Sequence, residues 1–253
     1  MKKRFAISLN LIALMVILTL SFSCRENTTY KAKTADSLVV KKEDVIVDHF
    51  LDKELQAKLT PDAMISILKT RNQEYTAGNL TIRNTSERIR KASTGQYPGA
   101  VILSCIDSRV PVEDVFHSGI GDLFVARVAG NIADVDILGS LEYACKKSGA
   151  KVIVVLGHED CGAIKSAVDN VKSGNITALL SKIRPTIDSL KNFQGEKSSK
   201  NPKYLEAVTR QNIINTIENI RKQSPTLKEM ESKGEIKIIG AEYHMETGKV
   251  DFL

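Results

Sequence analysis

Short apolar runs alternate with longer amphipathic segments through most of the chain. The runs at 100–104, 122–128, 151–156 and 235–241 are rich in Val, Ile, Leu and Ala, which is typical of strands buried on both faces. The segment at 204–221 instead repeats apolar residues at helical spacing. Because strands that alternate with helices form parallel sheets, the pattern predicts an α/β fold with a mainly parallel sheet flanked by helices.

A helix-start signal marks where the folded domain begins. Thr60 is a favourable N-cap residue, and Pro61 suits the first helical position. Further helices are predicted at 138–147 and 163–172. A chain of 253 residues with 42% hydrophobic content can build one substantial core. We therefore expect a single domain over residues 60–253.

Residues 1–23 have the composition of an export signal. A basic head of Lys and Arg precedes an apolar stretch, and small residues lead to Cys24. The segment resembles a bacterial lipoprotein cleavage site, in which this Cys becomes the lipidated first residue, although Ser21 stands where such sites usually carry Leu. Ordinary secretion is the alternative. We expect a protein of the periplasm or cell envelope that contacts the membrane only through a lipid anchor at Cys24.

Residues 24–59 are polar and rich in Lys, and we expect a tether with little order there. The whole chain has 36 Lys and Arg against 30 Asp and Glu, a formal net charge of +6. Removal of residues 1–23 takes away three basic residues and no acidic one, so the mature charge is +6 − 3 = +3. This modest balance predicts no nucleic-acid partner.

Residues that bind metals follow two of the predicted strands. Cys105 follows the run at 100–104, and His158 and Cys161 follow the run at 151–156. Because the carboxyl ends of parallel strands share one edge of a sheet, these side chains can converge. Two thiolates and one imidazole make a strong Zn²⁺ site that leaves one tetrahedral position open for water. The sequence predicts one zinc ion per subunit.

A disulfide between Cys105 and Cys161 is the alternative, since exported proteins meet an oxidising environment. A disulfide would not require His158 three residues before Cys161. Nor would it require Asp107 and Arg109 just after Cys105. The zinc site accounts for more of these residues and is the favoured interpretation.

The second cluster is expected in the turn between a strand and a helix. Gly157 and Gly162 flank it, and we expect them to allow tight backbone turns. The N-terminus of the following helix would favour an ionised thiolate at Cys161.

Longer segments around both clusters resemble the β-class carbonic anhydrases. The similar segments lie within a stretch of roughly residues 62–253 and are 105–111, 121–131, 157–163, 240–243 and 247–250. The resemblance implies zinc ligation by Cys105, His158 and Cys161. It further implies reversible hydration of CO2 to bicarbonate and a proton by zinc-bound hydroxide, in a homodimer or higher homo-oligomer.

The same resemblance implies a dyad of Asp107 and Arg109 in the active site. Asp107 would accept a hydrogen bond from the nucleophile and orient it towards CO2. Arg109 would keep Asp107 ionised and turned away from the metal. A purely structural salt bridge is the alternative.

Pocket residues are also implied by the resemblance. Gln96 would approach the substrate across a dimer interface, and Phe124 and Tyr143 would line or adjoin an apolar pocket. Gly162, beside a zinc ligand, is predicted to border the substrate.

His244, near the final turn, is expected at the surface.

Two other functions stay open from the sequence. One is a zinc hydrolase of a related small substrate, carbonyl sulfide or carbon disulfide, on the same fold. The other is a zinc-binding lipoprotein without catalytic activity. The presence of Asp107 and Arg109 disfavours the latter, because zinc storage needs neither residue.

Overall fold

The computed structural model describes residues 45–47, 51–78, 80–82 and 85–253. The predicted export signal, Cys24 and most of the predicted tether lie outside these residues. The described residues belong to one compact unit, Lys41–Leu253. None of the helices they form combines the length and the hydropathy needed to cross a bilayer.

The centre of the fold is a five-stranded sheet. The strands in chain order are β1 (Val45–Val47), β2 (Leu80–Ile82), β3 (Ala100–Ser104), β4 (Leu123–Arg127), β5 (Val152–His158), β6 (Lys237–Tyr243) and β7 (Val250–Phe252). The sheet has the order β4-β3-β5-β6-β7, and only its β6–β7 pair is antiparallel. β1 and β2 form a separate parallel pair. The predicted mainly parallel α/β fold is confirmed.

Helices occupy most of the sequence between the strands. They are α1 (Lys53–Lys58), α2 (Pro61–Thr76), α3 (Thr85–Ala92), α4 (Val112–Val115), α5 (Val135–Glu142), α6 (Gly162–Val168), α7 (Gly174–Ser181), α8 (Arg184–Ser189), α9 (Pro202–Gln223) and α10 (Pro225–Ser232). A 3₁₀ turn at Ala129–Asn131 follows β4, and a π turn at Tyr143–Lys147 extends α5. The predicted start of α2 is confirmed, since the Thr60 hydroxyl accepts a hydrogen bond from the Ala63 N–H at 3.2 Å.

Both faces of the sheet are covered by helices. On one face Ile153 and Val155 of β5 belong to a buried cluster with Ile213 of α9. On the other face Val154 belongs to a cluster with Met64 of α2. β3 and β5 are buried along their whole length, which explains why their sequences show apolar runs rather than alternation.

The predicted turn at Gly157 is wrong, because β5 continues to His158. A Cβ at Gly157 would lie 2.7 Å from Ile213 Cδ1, so this glycine lets α9 pack closely on the sheet. The backbone reverses instead at Asp160, whose φ is 55°. Gly162 also has no positive φ; it is the first residue of α6.

The expectation of a tether with little order is wrong for residues 53–58, which form α1. The Asp52 carboxylate caps this helix by accepting from the Leu55 N–H at 2.9 Å. Gln56 is buried, and its amide donates to the carbonyls of Pro98 at 2.8 Å and Ser148 at 2.7 Å. These two bonds attach the helix to the domain.

Candidate metal centre and active site

Cys105, His158 and Cys161 meet at the carboxyl edge of the sheet. Cys105 directly follows β3, His158 ends β5, and Cys161 is the N-cap of α6. All three are buried, and their ligand atoms lie within 4.8 Å of one another. The predicted convergence of the two clusters is confirmed.

The spacing of the sulfur atoms fits a zinc ion rather than a disulfide. Cys105 Sγ and Cys161 Sγ are 3.9 Å apart, and both cysteines are free. Two thiolates bound about 2.3 Å from a tetrahedral zinc would lie about 3.8 Å apart. A disulfide needs about 2.05 Å.

The ring of His158 is oriented for metal binding. Its Nδ1 lies 2.7 Å from the Glu159 carbonyl oxygen, which can only accept, so Nδ1 carries the proton. Nε2 is buried and has no hydrogen-bond partner among the described residues. A lone pair left unsatisfied beside two thiol sulfurs is what a bound zinc ion would satisfy.

The two thiols share a proton in the absence of metal. The hydrogen bonds from Cys161 and from the Gly130 N–H lower the pKa of Cys105 well below its usual range. The pKa of Cys161 is raised, first because its proton is shared with Cys105 and then because it is buried. Zinc binding would release this proton and leave two thiolates.

Asp107 and Arg109 form a bidentate ion pair beside the ligands. Arg109 Nε donates to Asp107 Oδ1 at 3.0 Å and Nη2 donates to Oδ2 at 2.8 Å. The Arg109 backbone N–H donates to Oδ1 as well, at 3.0 Å. These bonds hold the pKa of Asp107 at about 2. Asp107 Oδ2 is 3.9 Å from His158 Nε2, so an ionised carboxylate borders the ligand cluster.

Arg127 holds the loop that carries Cys105 and Asp107, a role that the sequence analysis did not assign. Its Nε donates to the Cys105 carbonyl at 2.8 Å, and its Nη2 donates to the Asp107 carbonyl at 2.6 Å. A basic residue at the end of the apolar run 122–128 was the available signal. In the sheet it pairs with Ser104, directly before the ligand.

The second loop is joined to the first through Asp160. Its carboxylate lies 3.6 Å from Arg109 Nη1, and its carbonyl accepts from Arg109 Nη2 at 3.4 Å. Lys165 of α6 pairs with the other carboxylate oxygen. Arg109 therefore connects Asp107 to the loop that carries His158 and Cys161.

His244 is half-buried, rather than fully exposed at the surface as the sequence suggested. Its Nδ1 lies 2.7 Å from Glu159 Oε1, and its Nε2 lies 2.9 Å from Asp251 Oδ2. Partial burial lowers the pKa of His244, but the two carboxylates outweigh it and raise the pKa above the usual value. The Met245 N–H donates to Glu159 Oε2 at 3.0 Å, so the β6–β7 hairpin anchors the residue after His158.

The remaining predicted pocket residues do not converge on the ligands within one chain. Phe124 and Tyr143 both line a groove of about 610 Å³, and no zinc ligand is among its described lining residues. Gln96 is exposed and precedes β3, at the opposite end of that strand from Cys105. Gly162 adjoins Cys161, and a Cβ there would meet only open space.

Comparisons with known proteins agree on one family. The family model described as carbonic anhydrase matches residues 100–250. Carbonic anhydrase of Mycolicibacterium smegmatis is 34% identical over 197 residues, which cover 76% of this chain and 92% of the relative. Carbonic anhydrase 2 of Mycobacterium tuberculosis is 30% identical over 195 residues, covering 75% and 91% respectively.

A solved β-carbonic anhydrase of Coccomyxa, in complex with acetazolamide, superposes with a TM-score of 0.60 at 25% identity. The match covers 75% of this chain and 84% of that one. The parallel sheet with a Cys, His and Cys cluster at its carboxyl edge defines an α/β zinc protein. The chain belongs to the β class of the carbonic anhydrase family.

Proposed function

We propose that this protein is a zinc-dependent carbonic anhydrase that interconverts CO2 and bicarbonate. The observation that carries the proposal is the Asp107–Arg109 pair beside the ligand cluster. A zinc store would need the three ligands but not an ionised carboxylate held 3.9 Å from His158 Nε2. Zinc in this cluster would supply the Lewis acidity that makes a nucleophile from water near neutral pH.

Asp107 positions the reacting water in this account. With its pKa lowered to about 2, it is a carboxylate at neutral pH and can only accept a hydrogen bond. Accepting a hydrogen bond from the reacting water would direct an oxygen lone pair at CO2. Arg109 keeps Asp107 in the orientation needed for this, because it donates a hydrogen bond to each carboxylate oxygen.

Arg109 also restrains the carboxylate from moving into the ligand cluster. Three donors from Arg109 act on the Asp107 carboxylate. Turning Asp107 towards the sulfur atoms would break these bonds. The dyad would thus leave a zinc ion held by Cys105, His158 and Cys161 able to bind water.

Removal of zinc is the direct test of the proposal. Stopped-flow CO2 hydration is expected with the zinc-loaded protein, to disappear after chelation and to return on reloading. Rates with CS2 measured in parallel assign the substrate, and we expect CO2 to be much the faster. Absence of CO2 hydration with one zinc per subunit would contradict the proposal, and rapid CS2 turnover alone would indicate the related hydrolase.

We further propose that the protein is a homodimer or higher homo-oligomer. The edge strand β4 carries Phe124, and beside it Val135 and Tyr143 are 78% and 57% exposed. An association across this apolar surface would cover it and would let Gln96 of one subunit approach the other's site. Light scattering tests this proposal, since a fully active monomer would contradict it.

Export and anchoring are proposed from residues 1–24 alone. Cleavage before Cys24 and lipidation of its thiol would place the domain in the periplasm or cell envelope, with residues 25–52 as the connection to α1. Mass spectrometry of the mature N-terminus should show a lipid-modified Cys24. An unmodified terminus at another residue would contradict the anchor.

A further inference from the structure

Gly130 links helix α9 to a zinc ligand. Its N–H donates to Cys105 Sγ at 3.4 Å. Its carbonyl accepts from Asn212 Nδ2 at 2.9 Å. Gly130 and Asn212 are both buried. One residue therefore receives a bond from the helix through its carbonyl and gives one to the metal site through its N–H.

The orientation of Gly130 depends on such partners. Its φ is 74° and its ψ is 19°, a left-handed conformation that glycine adopts without steric cost. A Cβ at this position would lie 2.7 Å from Ile183 Cδ1, so a larger residue would have to displace that side chain as well as adopt a strained positive φ. Because glycine itself imposes little on the backbone, two bonds hold the peptide group between Gly130 and Asn131: Asn212 Nδ2 donates to its carbonyl, and its own N–H donates to the Val128 carbonyl at 3.0 Å.

Asn212 is in turn held in one orientation. It is only 2% exposed. The Thr186 hydroxyl donates to its Oδ1 at 3.4 Å, and Asn215 Nδ2 donates to that hydroxyl at 2.9 Å. These contacts leave the Nδ2 of Asn212 to face Gly130, so the amide acts as a fixed donor.

We infer that Asn212 is a positioning residue for the zinc site, which aims the Gly130 N–H at Cys105 Sγ. An N–H donor withdraws charge from a thiolate and fixes its direction, so it tunes how that thiolate binds metal. The inference rests on the proposed zinc function. Asn212 acts through Gly130 and touches neither metal nor substrate.

The same helix supplies a matched control. Asn219 lies two turns further along α9, and its Nδ2 donates to the Ala133 carbonyl, also at 2.9 Å. Ala133 is three residues beyond Gly130 in the same connection. No hydrogen bond of the described residues joins it to a zinc ligand. The two asparagines thus make bonds of equal length to one loop, Asn212 from a buried position and Asn219 from a half-buried one, and only the Asn212 bond leads to Cys105.

The experiment compares Asn212→Leu with Asn219→Leu, since Leu keeps the branched shape of Asn and removes the donor. Zinc affinity is measured by competition with a chromophoric chelator. We expect Asn212→Leu to bind zinc about 10-fold more weakly and Asn219→Leu to bind it like the wild type. The thiolate-to-cobalt absorption of the Co²⁺ form should shift only in Asn212→Leu.

Two results would overturn the inference: unchanged affinity and cobalt absorption in Asn212→Leu, or equal changes in both variants. If circular dichroism shows that Asn212→Leu does not fold, Asn212→Ala is judged by the same two results. Affinity is independent of turnover. A wild type that binds zinc without hydrating CO2 would therefore remove the proposed function and leave the role of Asn212 standing.

Discussion

Asp107 and Asp122 are both paired with arginine, but they lie at opposite edges of one sheet. Asp107, at the carboxyl edge, is held by a single arginine whose side chain is 52% exposed. Asp122, at the amino edge, is wholly buried. It lies 3.1 Å from Arg88 Nη1 and 3.4 Å from Arg71 Nη1. One pair is open on the side of the ligands, and the other is enclosed.

The difference shows that location decides what an ion pair does. At the amino edge, Arg71 of α2 and Arg88 of α3 converge on Asp122 just before β4, so three elements are joined by one carboxylate. Nothing in the described surroundings of Asp122 binds metal. At the carboxyl edge, the Asp107–Arg109 ion pair lies beside the three ligands, where it can act on a substrate. We therefore expect stability to depend on Asp122 and activity on Asp107.

Asp122→Asn should have the largest effect on stability. It leaves two guanidinium groups around a neutral amide, and removing one partner of a buried pair costs about 3 kcal/mol or more. Chemical denaturation should show this loss in unfolding free energy. Zinc affinity of the folded variant should stay at the wild-type value. An unchanged denaturation midpoint would contradict the role assigned to the enclosed pair.

Arg109→Ala should reduce activity with little change in stability. Loss of its two side-chain donors leaves only the backbone N–H bond on the Asp107 carboxylate, and we expect CO2 hydration to fall by about 10- to 100-fold. The unfolding free energy should change little, because the Arg109 side chain is exposed and solvent screens the pair. Arg109→Lys keeps the charge without the bidentate geometry. Its rate of CO2 hydration should lie between those of the wild type and Arg109→Ala. Equal losses of stability at Arg109 and Asp122 would break the comparison.

Arg127→Gln should have a smaller effect on the same edge. The two carbonyls that it holds belong to Cys105 and Asp107, so the ligand loop should become less well ordered. We expect zinc affinity and CO2 hydration to fall together by about 10-fold. Arg90→Gln on the exposed side of α3 is the control and should change neither. Wild-type zinc affinity in Arg127→Gln would contradict the role of Arg127 in holding the loop that carries Cys105 and Asp107.

His244 should give the smallest effect, a pH dependence of stability. Its pKa is raised in the folded protein, so its contribution is present below the unfolded value and is lost as pH rises through the folded value. Because the side chain is partly exposed, we expect less than about 1 kcal/mol. Urea denaturation over neutral pH measures it. His244→Gln should abolish this dependence, and persistence of the full dependence would exclude His244 as its source.

Local signals in the sequence were sufficient for the ligands and for the main strands. Cys105, His158 and Cys161 each follow an apolar run, and the rule that parallel strands end at one edge places them together. Thr60 and Pro61 were likewise a local signal, because the N-cap and the first helical residue are adjacent in the sequence. The Asp107–Arg109 pair needed only two residues of separation, and the bond is present.

Contacts between distant segments could not be predicted in this way. Gln56 anchors α1 through carbonyls 42 and 92 residues away, so a polar stretch contains an ordered helix. Gly157 serves the packing of Ile213 and not a turn. His244 is half-buried against Glu159, a hydrogen-bond partner 85 residues earlier. Helices α7 and α8 were not predicted, since each is short and contributes one buried residue.

The most direct test is stopped-flow CO2 hydration by zinc-loaded Asp107→Asn, beside the wild type and Asp122→Asn, at a temperature where all three are folded. Metal analysis should show one zinc per subunit in each. We predict that Asp107→Asn loses activity by a factor on the order of 100 while Asp122→Asn keeps the wild-type rate. Wild-type hydration by Asp107→Asn would contradict this prediction.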